Sequence, residues 1–232
     1  MPKKKNFDRV VIKLTGSLFK RYNKSTVIPF INLFNKMHES NTQLFVVTGG
    51  GEAARQYITL ARNLGAEETS LDEIGIMASR INAKILIAGL GESAHPVIPA
   101  NLEDFAHVQG LGRIIVTGGM MPGQSTNAVA SLIAEKVRAR IFVNASDVDG
   151  VYTSDPKSNK TARKLAEVNV AQFSKIISSM NKSAGTYELM DQIALNIIAR
   201  SRIPTRIVQC LPELIRKAVE EQAVGTLVTP NN

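Results

Sequence analysis

The sequence predicts an α/β protein with a mainly parallel central sheet and helices on its faces. Two observations carry this. Short β-branched runs alternate with helix-length periodic segments, and no internal repeat, low-complexity tract or long linker interrupts the alternation. A chain of 232 residues fits one large domain or two lobes sharing a core. Folding at this size buries roughly 70 to 75% of the unfolded surface, so neither disulfide nor metal is needed as a staple.

The first strand is expected over residues 10–14, where Val10, Val11 and Ile12 form an unbroken β-branched run. A periodic helical segment follows over 25–39, then a second apolar strand over 44–48. Helices are expected over 52–64 and 71–88, and a third strand over 113–117. In the next helix, 125–137, Val129, Leu132, Ile133 and Val137 share one face, and Ser125 or Thr126 can cap its start. A fourth strand over 140–144, a helix over 188–201 and a fifth strand over 206–210 complete the pattern. The one composition shift is the polar, basic stretch 155–164, which is placed to separate two lobes.

The formal net charge of +8 favours polyanionic partners: nucleotides, nucleic acid or acidic proteins. Apart from Lys3 to Lys5 and the stretch 157–164, the basic residues are scattered, and there is no tryptophan. A stacking platform for single strands is therefore poorly supported, and no nucleic-acid partner is expected. Cys210 has no second cysteine to pair with and sits in an apolar stretch, so it reads as a reduced, buried thiol. Asp8, Arg9 and Lys13 interrupt any signal-peptide core, and the most apolar segment, 74–89, carries Arg80 and Lys84. A soluble, cytoplasmic protein without a membrane partner is the expectation. The histidines His38, His95 and His107 have no metal-ligand spacing, and no protein-held metal is expected.

Three strands end in a glycine turn: Thr15-Gly16-Ser17, Thr48-Gly49-Gly50-Gly51 and Thr117-Gly118-Gly119. In a parallel sheet all three lie at the carboxyl edge, where ligands bind, and their convergence predicts one polyphosphate site. Glycine lets the backbone approach an anion, and the helix that follows offers its positive end. Arg55, one turn into the second helix, suits a bidentate phosphate contact. For any single turn the structural reading, a glycine that merely turns the chain, has even odds; three together favour a site. Neither the Walker pattern nor the spaced Gly-x-Gly-x-x-Gly is present, so the site belongs to another phosphate-binding architecture.

With these motifs the chain resembles the amino acid kinase superfamily and, within it, the UMP kinases of archaeal type. The resemblance runs from Val10 to about Pro230. It is carried by Lys13-Leu14-Thr15-Gly16-Ser17, Val47 to Gly51 with Arg55 and Tyr57, Leu71 to Ile76 followed by Ala78 to Ala83, and Thr117 to Thr126. Val148-Asp149-Gly150-Val151-Tyr152 with Asp155 and Pro156, and Ala184 to Leu189, complete it. The resemblance implies a three-layer α/β/α sandwich, a homohexamer, and transfer of a phosphoryl group from ATP to UMP with Mg2+ as cofactor. It implies ATP phosphates around Lys13, Gly16, Ser17, Gly51 and Arg55, and base and ribose around Ser146, Tyr152 and Asp155. UMP would lie against Gly50, Asp72 and the loop Met120, Met121, Pro122, Gly123, Gln124, Ser125 and Thr126. An N-terminal lobe of about 8–155 would hold the acceptor, and a C-terminal lobe of about 140–230 the ATP base. Lys13 and Arg55 are the expected catalytic cations.

Asn127 stands where many members of the superfamily have a carboxylate, and Ser17 where some archaeal-type enzymes have lysine. Isopentenyl phosphate kinases are the nearest rival, but they look for a histidine where Glu52, Ala53 and Ala54 stand. Carboxylate kinases lack a loop of the 120–126 type. A binding protein that holds nucleotide without turnover is the alternative from another class, with Asn127 as its best hint. Without the motif around it, Lys13 would read as a solvated surface lysine and Arg55 as a helix ion-pair partner. Asp149 reads as a turn residue rather than a catalytic one.

Overall fold

The computed structural model describes residues 8–20, 23–156, 159–180 and 189–230. The expected motif 184–188, the tail 3–5, Lys157 and the first residue of the expected helix 188–201 lie outside them.

Seven strands form one sheet: β1 (Asp8–Leu14), β2 (Thr42–Thr48), β3 (Ile115–Thr117), β4 (Ile141–Ser146), β5 (Glu167–Asn169), β6 (Thr205–Gln209) and β7 (Thr226–Thr229). Their spatial order is β3-β2-β1-β4-β6-β7-β5. The first five in this order run parallel, β7 is antiparallel to β6, and β5 is parallel to β7. β1 is an interior strand, apolar on both faces, as a strand covered by helices on two sides must be. Val10, Ile12 and Leu14 face one core and Val11 the other.

Eight α-helices among the described residues cover the sheet: α1 (Lys24–Glu39), α2 (Gly51–Asn63), α3 (Glu68–Leu90), α4 (Leu102–Val108), α5 (Thr126–Val137), α6 (Val170–Met180), α7 (Gln192–Ser201) and α8 (Pro212–Val219). One core packs Phe30 and Phe34 of α1, Leu86 of α3 and Ile215 of α8 against the sheet. The other packs Phe105 of α4, Val129 and Ile133 of α5, Phe173 of α6 and Leu195 of α7 against the opposite face. The result is the expected three-layer α/β/α sandwich.

The expected strands and helices are all present, with shifted ends. β3 begins at Ile115 instead of 113, because Ile114 pairs only as an isolated bridge to Ala94. α7 begins at Gln192, capped by Asp191, whose side chain accepts the Ala194 amide at 2.9 Å. Short elements escape the sequence reading: β5, β7, α4, α6 and α8, of which the strands have three or four residues each.

α3 is longer than expected, and with its extension to Ser93 it is apolar and long enough by composition to cross a membrane. Here it is a helix of the sandwich. Leu71, Ala78, Ala83, Leu86 and Leu90 are buried, and Arg80 donates to the carbonyls of Gly119 (3.0 Å) and Ala100 (2.8 Å).

Phe142 is the second residue of β4 and is fully buried. Truncating it leaves a cavity between the sheet and α5, and we predict that Phe142→Ala costs about 3 to 5 kcal/mol in urea unfolding. A loss below about 1 kcal/mol would contradict the packing described.

Candidate active site

The carboxyl ends of β1, β2 and β4 open into a cavity of about 850 Å³. Its wall on the β1–β2 side is made by two turns in backbone contact. A Cβ on Gly16 would lie 2.1 Å from the Gly51 nitrogen, and one on Gly51 would lie 2.4 Å from the Gly16 carbonyl oxygen. Gly51 also has φ +68°, a conformation that glycine adopts without strain. The turns are locked from behind: Gly49 N–H donates to Leu14 O at 2.9 Å, and Asn82 of α3 donates Nδ2 to Gly49 O at 2.8 Å. α2 starts at Gly51 with no side-chain cap, so its first amides and the positive end of its dipole face the cavity unused. Such a helix end is an anion site.

The third glycine turn does not join them, which corrects the expectation of three converging turns. Gly118 and Gly119 pack on α3: a Cβ on Gly118 would lie 2.4 Å from Ser79 Oγ, and the Gly119 amide is consumed by a 2.7 Å bond to that oxygen. Ser79 O in turn accepts the Thr48 hydroxyl at 2.8 Å, so α3 braces the β2 and β3 turns together. The third turn supports the site and does not line it.

Lys13, the penultimate residue of β1, lines the cavity, and its ammonium makes no hydrogen bond to a described residue. Burial pushes its pKa below the ordinary 10.5, against the opposing pull first of Asp147 and then of Cys210. A partly buried cation without a fixed partner is poised to accept an anion. Arg55 is exposed at the rim and forms no ion pair with a described residue, whereas its neighbour Glu52 is paired with Lys20 at 2.8 Å. Cys210 is partly buried beside this site, and burial pushes its thiol up to about 12, which keeps it protonated.

Of the residues assigned by resemblance, Lys13, Gly16, Gly50, Gly51, Arg55, Ser125, Thr126 and Ser146 share the cavity. Ser17 stands beside it, its hydroxyl donating to Asp147 at 3.0 Å. Asp72 and the loop 120–124 do not line it; one Asp72 carboxylate oxygen accepts the Gly123 amide at 2.7 Å and so ties the loop to α3. Tyr152 and Asp155 also lie off the cavity. The Tyr152 hydroxyl donates to Asp149 at 2.9 Å, which raises its pKa, and Asp149 further accepts Lys164 at 3.0 Å. Asp149 is thus engaged by Tyr152 and Lys164.

Ser125 caps α5, accepting the amides of Asn127 (3.0 Å) and Ala128 (3.1 Å), and its hydroxyl donates to Asp191. Its capacity is taken up in joining the N-termini of α5 and α7.

The cavity also contains Thr15, Asp147, Asn127, Leu189, Met190 and Asp191. Asp147 accepts hydroxyls from Thr15 (3.1 Å) and Ser17, which ties the β4 end to the β1 turn. The sequence carried a signal for it: a carboxylate directly after Ser146, at the same sheet edge as the glycine turns.

A lysine in the lining, glycine amides on one wall and an uncapped helix end define the class of α/β proteins that hold a polyphosphate at the carboxyl edge of a parallel sheet. Residues 8–209 match the model of the amino acid kinase family, and the chain belongs to that family. It is 41% identical over 220 residues to the uridylate kinase of Archaeoglobus fulgidus, covering 95% of this chain and 99% of that protein. With the uridylate kinase of Pyrobaculum arsenaticum it shares 42% identity over 221 residues, again 95% of this chain and 99% of the relative. The crystal structure of the Archaeoglobus fulgidus uridylate kinase superposes with a TM-score of 0.85 at 42% identity, over 95% of this chain and 99% of that one. A UMP kinase structure from Bacillus anthracis shares the fold, with a TM-score of 0.80 at 23% identity over 97% of each chain.

Gly16→Ala is predicted to force the two turns apart, because its new Cβ meets backbone rather than a flexible side chain. The variant should lose ATP binding by at least about tenfold in calorimetry, with a lowered melting temperature. Unchanged ATP affinity would show that the Gly16–Gly51 contact does not shape the phosphate site.

Proposed function

We propose that this chain is an ATP-dependent UMP kinase that transfers the γ-phosphoryl group of ATP in line to a phosphate oxygen of UMP, giving UDP and ADP. The observation that carries this reading is the partly buried Lys13, its ammonium free of any described hydrogen-bond partner, facing the two interlocked glycine turns in a cavity large enough for phosphates from both nucleotides. The relatives named uridylate kinase, matched over nearly their whole length, support UMP as the acceptor. The bond from the γ-phosphorus to the bridging β,γ-oxygen breaks as a bond to the UMP oxygen forms. No general base is needed, since a phosphate monoester, with a second pKa near ~6, is already ionised at neutral pH. Catalysis is positioning and charge neutralisation.

In this reading Lys13 neutralises the transferring phosphoryl group, and Arg55 adds a second cation from the rim. The amides of Gly16, Gly50 and Gly51 cradle oxygens, and Ser17 and Ser146 lie on the ATP side. Asp155 and Tyr152 would meet the base and ribose from the C-terminal lobe. Asp72 and Met120 to Thr126 would hold UMP, with Asp72 doing so while it anchors Gly123. Mg2+ fits the donor set. Among the described residues no cluster of three or more metal-ligating side chains exists. Asp147 is nevertheless an exposed carboxylate on the phosphate wall, which suits an ion held mainly by phosphates and water. The ion would supply charge compensation between the phosphates. A reaction fed by ATP and a single reduced cysteine agree with a cytoplasmic enzyme.

Self-association, with a hexamer as the expected state, is supported by an exposed apolar stripe on α3. Met77 (56% exposed), Ile81 (58%) and Ile85 (42%) lie one helical turn apart, beside exposed Tyr57 and Leu60 of α2 and Leu64 just after it. In gel filtration Ile81→Asp should elute later than wild type; identical elution would remove this stripe from any interface.

The function is tested by ADP release with ATP and magnesium, comparing UMP, CMP, AMP and isopentenyl phosphate. Turnover should need UMP and fall by at least about 10²-fold in Lys13→Ala. Turnover with isopentenyl phosphate alone, or none with any acceptor despite tight ATP binding, would overturn the reading. The pH profile carries a further sign. Unfolded Lys13 keeps its proton to higher pH than folded Lys13, so between the two pKa values stability of the ligand-free protein rises with pH. Phosphate binds the protonated form, so kcat/KM for ATP should fall as pH rises through the lowered Lys13 pKa.

A further inference from the structure

Two buried amide oxygens stand without a partner among the described residues, one on Asn127 of the cavity lining and one on Asn144, which is bonded to the lining residue Leu189. Asn144, in β4 and fully buried, donates Nδ2 to the Leu189 carbonyl at 2.9 Å. Asn127, buried at the start of α5, donates Nδ2 to the same carbonyl at 3.3 Å. Leu189 O can only accept, so both side chains must turn their NH2 groups to it and their oxygens away. Neither Oδ1 then has a hydrogen-bond partner among the described residues. An unpaired buried amide oxygen costs free energy, and two of them bonded to one carbonyl mark a site short of a donor.

The register of the sheet identifies the donor. β1 and β4 pair in parallel with Lys13 opposite Asn144. Val11 and Phe142 both pack into the core on the α5 side, and Lys13 and Asn144 each lie two residues further along, on that same face. Lys13 is thus the cross-strand neighbour of Asn144. Its ammonium has three N–H donors, more than one transferred phosphoryl group requires, and none is bonded to a described residue.

We propose that Asn144 is a positioning residue for phosphoryl transfer: its free Oδ1 accepts one N–H of the Lys13 ammonium, with Asn127 Oδ1 as a second acceptor, once phosphates fill the cavity. The ammonium then presents its remaining donors to the transferring group. Because Nδ2 of Asn144 is held by Leu189, the same side chain links the placement of Lys13 to the segment that enters α7. Burial lowers the pKa of Lys13 in the empty site, and an amide oxygen directed at the ammonium favours its charged form.

This inference rests on the assignment of Lys13 to the transferred phosphoryl group, and the test separates the two. Asn144→Leu removes the acceptor at similar size, and Asn144→Asp replaces it with a charged one. Both are assayed as the full chain with Lys13→Ala alongside, measuring kcat and KM for ATP and UMP across pH. Asn144→Leu should lower kcat about 10²-fold with a smaller change in KM for UMP, and move the alkaline limb of the profile to lower pH. Asn144→Asp should move that limb to higher pH, which a purely structural role would not do. Limbs unmoved in both variants, whatever the loss of kcat, overturn the inference while leaving Lys13 in place. If Asn144→Leu does not fold, the direction of the Asn144→Asp limb decides alone. Turnover retained by Lys13→Ala sinks the Lys13 assignment and this inference with it.

Discussion

The site depends on one close approach: the backbones of Gly16 and Gly51 touch where β1 and β2 end, leaving no space for a side chain on either. That contact brings the β1 turn against the N-terminus of α2, so that unused amides and the helix dipole point the same way. It is held by the Gly49–Leu14 backbone bond and by Asn82, a buried polar residue of α3 satisfied only by the turn it supports. The long third helix is therefore more than a cover for the sheet. Ser79, Arg80 and Asn82, three polar residues on an otherwise apolar helix face, each bind the backbone of a glycine turn.

Around this cradle the charges are arranged at a cost to the empty protein. Lys13 is pushed toward its neutral form by burial, with Asp147 opposing the shift from a distance too great for an ion pair. Two amide oxygens near it are unpaired, and Arg55 projects from the rim without a carboxylate partner among the described residues. A bound polyphosphate would meet the two cations, while the amide oxygens, which only accept, would turn to the Lys13 ammonium. Several charged side chains elsewhere follow the opposite rule. Arg140 is held by Asp8 at 2.8 Å and by Glu221, and Arg200 is held by Glu135. Unpartnered buried polar atoms are not confined to the site, since Asn35 Oδ1, His38 Nδ1 and Arg206 Nε also lack a partner among the described residues, but only those of Asn127 and Asn144 lie beside the phosphate cradle.

What could be read in the sequence was what is contiguous in it. The Lys13 to Ser17 and Thr48 to Gly51 blocks carry strand, turn and phosphate chemistry within a few residues, and Ser125 could be named as a cap from its place before an apolar helix face. The third glycine turn has the same sequence look as the second, and only the packing of Ser79 against it shows that its amide is already used. Asp147, Leu189 and Asp191 were missed because their parts arise from pairings across the fold. Asp147 meets Thr15 and Ser17 across 132 and 130 residues, and Asp191 meets Ser125 across 66. Short strands such as β5 and β7 carry too few residues for a period-two signal to stand out.

The central claim is that the Gly16–Gly51 cradle and Lys13 together hold the phosphoryl group that moves. A crystal structure of the protein with UMP and a non-hydrolysable ATP analogue tests it most directly. The account predicts γ-phosphate oxygens within hydrogen-bond reach, about 2.7 to 3.1 Å, of Lys13 Nζ and of amides in the Gly16 and Gly51 turns, with the UMP phosphate in line behind them. A γ-phosphate bound elsewhere in the cavity, with Lys13 still free of any ligand, would contradict it.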